Sequence, residues 1–282
     1  MNSVYRPIRR CMTENKIDAF QSRLELRRQP GEALSAIMRQ AEEICSREKN
    51  DVVLGEYFTA DNPWSRRPWR DFNYWNGWYA LAKLKKPARV LEIGTAFGFS
   101  TISLARGAGE ALKLLVSLDL GNYGRLLSSR EAPEIDNLAY VKEGISRYAK
   151  EKGYNFEYLQ FNVNTQPPPY TDDTGIPAAS PYWKDDKQLL ALLERESFDL
   201  IFIDGKHTDE GLYNDLTSFY GHGANGCLVV CDDIQHQDAA ESLRRYIIER
   251  NDVADYAVWR FLHSSEEYGG TLRRDQGLIV KK

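Results

Sequence analysis

Long apolar runs are missing from this chain. Each uninterrupted hydrophobic stretch is far shorter than the roughly 20 residues that span a bilayer, so no membrane partner is expected. Cysteine is scarce: Cys11, Cys45, Cys227 and Cys231 make no CxxC pair, which argues against a zinc centre. Cys227 and Cys231 stand four apart in an apolar strand, share a face and read as buried reduced thiols, as a reducing cytoplasm allows. A strong charge excess is also missing. The formal charge is −4, so there is no global pull toward nucleic acid. The basic residues Arg6, Arg9, Arg10, Arg23, Arg27 and Arg28 are not followed by an apolar stretch. They read as a solvated arm or a docking patch rather than a secretory signal. No internal repeat is visible.

What the sequence does have is a change of pattern near residue 86. Before it, Leu34, Ile37, Met38, Ala41, Ile44 and Cys45 recur at helical spacing after Pro30-Gly31. An aromatic-rich stretch follows, with Trp64, Trp69, Phe72, Tyr74, Trp75, Trp78 and Tyr79. Its second half predicts a helix ending before Pro87. Those aromatics read as core and lid anchors, or as a wall for a flat or sugar-like acceptor. Residues 1–85 are therefore expected to form an N-terminal helical extension, either a lid or a layer for a homodimer.

After that point, short apolar strands alternate with helical patterns: 88–95, 112–120, 155–163, 198–205 and 226–234. Near-continuous apolar strands with helical crossovers predict a parallel sheet covered by helices on both faces. Residues 256–265 and 277–282 flank a turn-rich segment with Gly269-Gly270 and predict a closing antiparallel hairpin. Residues 121–150 and the proline-rich 164–184 read as insertions. The second is expected, with residues 60–70, to cover an acceptor pocket.

The chemistry-bearing residues cluster at strand ends. Val90-Leu91-Glu92-Ile93-Gly94-Thr95-Ala96-Phe97-Gly98-Phe99-Ser100 is an apolar strand that ends in an acid and runs into small residues. Ser100 is the expected N-cap of the next helix. Small residues suit a backbone that must approach a ligand. The G-x-A-x-G spacing departs from the dinucleotide G-x-G-x-x-G, and an acid ahead of the glycines suits a ligand with a positive amino group. Asp119 ends the next strand, where a carboxylate can accept both ribose hydroxyls of a nucleoside. Asp204-Gly205-Lys206-His207 and Asp232-Asp233-Ile234 follow two further strands. Neighbouring strands lie about 4.8 Å apart, so Asp204 and Asp232 can share a hard cation such as Mg²⁺ or Ca²⁺. Equally, Asp204 can cap a turn, Asp232-Asp233 can end a strand, and His207 can cap a helix.

In this order, and with the terminal hairpin, these segments resemble the class I S-adenosylmethionine-dependent methyltransferases over roughly residues 72–282. The resemblance implies a Rossmann-like α/β fold with a seven-stranded, mostly parallel sheet whose last strand is antiparallel, occupying residues 86–282. It also implies that Glu92, Gly94, Thr95, Ala96, Gly98 and Ser100 hold the methionine moiety and that Asp119 binds ribose. Asn162, after the third strand, stands where an acid is usual near adenine. The strand-end acids make the chain similar to the divalent-cation-dependent O-methyltransferases of the catechol and the macrolide- and aminocoumarin-sugar types. That similarity implies Asp204, Asp232 and Asp233 as Mg²⁺ ligands, with Asp204 also beside the cofactor. It implies His207 as general base, where the catechol type carries Lys. Histidine has a pKa of about 6.5, suited to taking a hydroxyl proton at neutral pH. Gln166-Pro167-Pro168-Pro169-Tyr170 resembles the Asn-Pro-Pro-Tyr box of nucleic-acid methylating enzymes, but it follows the wrong strand, so nucleic acid is not the expected substrate. The expected activity is methyl transfer to a hydroxyl of a small metabolite, in secondary metabolism. The alternatives are a metal-independent N- or C-methyltransferase, and a non-methylating enzyme or scaffold that keeps the fold.

Overall fold

The computed structural model describes residues 30–48, 75–95, 98–119, 137–160, 187–205, 209–265 and 270–282. Among them, seven strands form one sheet in the order β3-β2-β1-β4-β5-β7-β6. The strands are β1 Arg89–Ile93, β2 Leu114–Asp119, β3 Asn155–Gln160, β4 Phe198–Ile203, β5 Gly223–Cys231, β6 Val253–Ser265 and β7 Gly270–Lys281. The helices are α1 Glu32–Arg47, α2 Trp75–Lys85, α3 Phe99–Ala108, α4 Asn137–Lys152, α5 Lys187–Arg195, α6 Asp209–Phe219 and α7 Gln237–Glu249. The pairs from β3 through β5 are parallel, and β7 alone runs against its neighbours, antiparallel to both β5 and β6. None of the helices described is long and apolar enough to cross a membrane.

The alternation of side chains along each strand builds two cores. Val90, Leu115, Leu200, Phe202, Leu228, Val230 and Leu278 face one side, under α1 to α4. Leu91, Val116, Ile201, Ile203, Val229, Cys231 and Ile279 face the other, under α5, α6 and α7. Each fully buried Leu, Ile or Val contributes about 1.5–3 kcal/mol relative to exposure, which fixes the register strongly, since a one-residue slip would exchange the two faces. The thiols of Cys227 and Cys231 share the second face, as their spacing predicts, and Cys45, Cys227 and Cys231 are all free.

The two leading helices are built into the first core. Trp78 of α2 meets Phe202 of β4 edge-on, with ring centroids 4.7 Å apart. Helix α1 uses Leu34, Ala41 and Ile44 as its buried face. It is tied to β6 at both ends of that face. The Gly31 N–H donates to Asp255 Oδ2 at 2.7 Å, and the Trp259 indole N–H donates to Glu42 Oε1 at 3.1 Å.

Three sequence expectations need correction. Residues 121–150 are not wholly an insertion: from Asn137 onward the chain forms the ordinary crossover helix α4, which buries Ile145, Tyr148 and Ala149. The segment before 277 is not a turn. β7 begins at Gly270 and pairs with β6 from Ser265–Gly270 to Val253–Lys281, because the backbone ladder continues through side chains that carry no apolar signal of their own at Arg273, Arg274 and Asp275. Ser100 is not the N-cap of α3. The helix starts at Phe99 and is capped by Gly98, which lies in the left-handed region at φ 79°.

Candidate active site

In chain order the sheet grows outward from β1 to β3 and then returns to place β4 on the other side of β1. The crevice between β1 and β4 is therefore a topological switch point, the place where ligands bind at the carboxyl ends of parallel strands. Three bonds carry the ladder one residue past the strands: Gly94 N–H to Leu118 O at 2.9 Å, Asp204 N–H to Ile93 O at 2.8 Å, and Asp232 N–H to Ile203 O at 2.9 Å. Gly94, Asp204 and Asp232 thus stand at the same end of adjacent strands. Gly94 sits at φ 95°, and a Cβ added there would lie 2.0 Å from the Asp204 carbonyl oxygen. Only glycine allows the two strand ends to approach so closely, and that approach forms the floor of the crevice.

The loop after β1 closes with the Gly98 N–H on Thr95 O at 2.8 Å, and α3 begins immediately. The first turn of α3, with Ser100 and Thr101, is the amide-bearing end of the helix. Its amides favour an anionic group such as a carboxylate. Ser100 is buried in that turn.

Glu92 lies fully buried beneath the loop. Register sets it directly beside Ser117 of β2. Its Oε2 accepts the Thr101 hydroxyl at 2.6 Å and the Ser117 hydroxyl, and Ser117 in turn meets Thr95 Oγ1. Burial pushes the carboxyl up to about 7, partly countered by the hydroxyls of Ser100, Ser117 and Thr101 and reinforced by the negative Asp204. Its Oε1 is buried with no hydrogen-bond partner among the described residues, so one oxygen is left to take a donor from a ligand. Asp119 ends β2 and is also buried.

The acids of β4 and β5 converge. Asp204, Asp232 and Asp233 each offer a carboxylate oxygen, all within 4.8 Å of one another. Asp232 and Asp233 are buried, while Asp204 is half-buried. Three like charges held so close favour a cation among them. Three hard oxygen donors fit Mg²⁺ or Ca²⁺. Backbone geometry makes the convergence possible. Consecutive strand residues point to opposite faces, but Asp233 leaves the strand conformation at φ 58°. The alternation is broken there, and two neighbouring acids can approach Asp204 together.

Two residues that the sequence reading did not single out support this corner. Asp215 of α6 is buried with its Oδ2 2.5 Å from where a Cβ on Gly205 would stand, so α6 presses a carboxylate against the turn after β4. Gln235 donates from Nε2 to Asp233 Oδ1 at 2.6 Å. Ala96, Asn162, Lys206 and His207 lie outside the described residues, as do the segments 60–70 and 164–184 expected to cover the site.

The chain matches the family model described as "Methyltransferase domain" over residues 91–234, which runs from β1 to the turn after β5. Solved structures of similar fold include an O-methyltransferase from Bacillus cereus in complex with SAH, at 15% identity and TM-score 0.46, covering 94% of this chain and 97% of that one. Another is the O-methyltransferase TomG from Streptomyces achromogenes, involved in tomaymycin synthesis and solved with SAM, at 17% identity and TM-score 0.42, covering 95% and 99%. A third is a putative caffeoyl-CoA O-methyltransferase from Staphylococcus aureus, at 12% identity and TM-score 0.47, covering 86% and 96%. At such identities and scores these structures carry no argument about substrate. A comparison with curated proteins finds no match.

Proposed function

This chain belongs to the methyltransferase-domain family, whose class I members take their methyl group from S-adenosylmethionine, and we propose that it methylates a hydroxyl of a small metabolite with help from a divalent cation. The observation that carries the reading is the convergence of Asp204, Asp232 and Asp233 beside the β1–β4 crevice. S-adenosylmethionine supplies an electrophilic methyl group when bound. The residues of the chain divide the remaining work. The loop from Gly94 through Thr95 and Ala96 to Gly98 and the first turn of α3 with Ser100 take the methionine carboxylate. The open Oε1 of Glu92 takes its amino group. Asp119 takes the ribose hydroxyls, and Asn162 the adenine.

A neutral hydroxyl attacks a methyl group poorly, so the acceptor must lose its proton at or before transfer. Asp204, Asp232 and Asp233 would hold Mg²⁺, which lowers the pKa of a hydroxyl bound to it. His207 takes the proton. It follows Asp204 by three residues in the sequence, beyond the end of β4. Much of the remaining acceleration comes from holding nucleophile and methyl in line. Residues 1–85 form the extension that covers the acceptor or pairs two copies, with 60–70 and 164–184 as the cover.

Calorimetry with S-adenosylhomocysteine, and transfer of labelled methyl to hydroxylated acceptors before and after EDTA, test the reading. Micromolar binding, loss of transfer in EDTA and recovery with Mg²⁺ are expected. Full turnover in EDTA would place the protein in the metal-independent class, with an N- or C-acceptor as the next candidate. A nicotinamide cofactor bound instead would overturn the reading altogether.

A further inference from the structure

We propose that Gln235 is a positioning residue that sets Asp233 in place for the divalent cation. The inference rests on the reading of Asp204, Asp232 and Asp233 as its ligands. The carboxamide spans two partners. Its Oε1 accepts the backbone N–H of Asp275 in β7 at 3.0 Å, and its Nε2 donates to Asp233 Oδ1 at 2.6 Å. The backbone donor leaves no freedom in assigning the amide. An N–H of Asp275 requires an oxygen opposite it, so the nitrogen must face Asp233.

The rest of the turn is tied to the same strand. Ile234 N–H donates to Asp275 O at 2.8 Å, and His236 N–H closes back on Asp233 O at 3.0 Å. With Ile234 and Gln235 together, both backbone polar groups of Asp275 are paired to this turn. Gln235 thus stands in for a missing strand residue and carries the position of β7 through to the Asp233 carboxylate.

That connection has work to do. Asp233 holds a left-handed backbone at φ 58°, which costs a non-glycine residue energy unless its surroundings hold it there. It also lies within 4.8 Å of two other carboxylates that repel it. A donor fixed to the sheet neutralises part of that repulsion at Oδ1 and holds the carboxylate in one orientation. His236 also faces Asp233, with Nε2 4.0 Å from Oδ2, and it is half-exposed. Hydrogen-bonded partners of metal-bound carboxylates commonly hold 10–100-fold of metal affinity.

The test is Mn²⁺ binding, read by electron paramagnetic resonance on the full chain in wild type, Gln235→Met and Gln235→Ser. Serine adds no bulk should methionine disturb folding. S-adenosylhomocysteine affinity and the thermal midpoint are measured on the same samples. The expected result is one Mn²⁺ site in wild type, weakened about tenfold or more in both variants, with nucleoside affinity unchanged within about twofold. Mn²⁺ affinity within twofold of wild type in a folded variant would overturn the role of Gln235 and leave the metal site standing. A parallel loss of Mn²⁺ and nucleoside binding would overturn it as well, since it would mark Gln235 as a support of the fold alone. A wild-type protein that binds the nucleoside but no Mn²⁺ would instead remove the metal reading, and this proposal with it.

Discussion

Glu92 and the group of Asp204, Asp232 and Asp233 stand at the same end of one sheet, yet the fold treats them in opposite ways. Glu92 is sealed under the loop after β1, wrapped by hydroxyls from β2 and α3, and its carboxyl is pushed up to about 7 by burial. The three aspartates are drawn together, within 4.8 Å, at the carboxyl ends of β4 and β5. An acid buried out of water can stay neutral, against hydroxyl donors that favour its charge, until a ligand ionises it. Three acids brought together by a broken strand alternation are costly unless something positive joins them. The first arrangement suits the amino group of a nucleoside cofactor, the second a divalent cation and the hydroxyl activated beside it.

The largest effect expected on the second side is at His207. If it takes the acceptor proton, His207→Ala should lower kcat by roughly 10²–10⁴. S-adenosylhomocysteine affinity should barely move, because the methionine and ribose contacts lie on other strands. The loss should shrink as pH rises and solvent supplies the acceptor anion. A pH–rate profile equal to wild type would reduce His207 to a turn residue and move attention to Lys206 or His236. Next comes Asp232→Asn, which should cut Mg²⁺-supported turnover by about 10²-fold while leaving nucleoside binding intact. Equal losses with and without Mg²⁺ would break the contrast between the two acid groups. On the cofactor side, Asp119→Ala should weaken S-adenosylmethionine binding about tenfold or more, or at least about 1.4 kcal/mol. An unchanged calorimetric constant would remove Asp119 from the ribose site.

The difference between the two regions also explains how much could be read from sequence. The strands were legible because their apolar runs alternate with crossovers, and so was the meeting of Asp204 with Asp232, because both simply follow strands that become neighbours. Gly94 was legible as a small residue near a ligand. Its second reason, the 2.0 Å clash of any Cβ with Asp204 O, needs the β1–β4 pairing. Ser100 was misplaced as a cap because Gly98 reaches a left-handed conformation that serine does not favour. The wrapping of Glu92 by Ser117 and Thr101 comes from strand register and a helix docked above it. No local pattern announces it. Gln235 reads as an ordinary polar residue in a turn, and only its two bonds to Asp233 and Asp275 give it a role.

The remaining effect is thermal, and it isolates Glu92 from all ligands. Its carboxyl ionises near 4.5 in an unfolded chain and near 7 in the folded one. Below 4.5 both states are protonated, and the group leaves stability unchanged. Between 4.5 and 7 the unfolded state loses its proton first, so the native state binds more protons and stability falls as pH rises. Above 7 both are ionised and the fall stops. From pH 5.5 to 7.5 the loss amounts to roughly 2 kcal/mol, or a few degrees in Tm for a chain of this size. Glu92→Gln keeps an oxygen for the Thr101 and Ser117 hydroxyls and removes the titration. The Tm of the variant, measured without ligand, should therefore lack this part of the decline, and the gap between variant and wild type should shift in the variant's favour as pH increases. Parallel Tm curves across that window would show that Glu92 is ionised throughout, and that the two acid groups differ in position but not in charge.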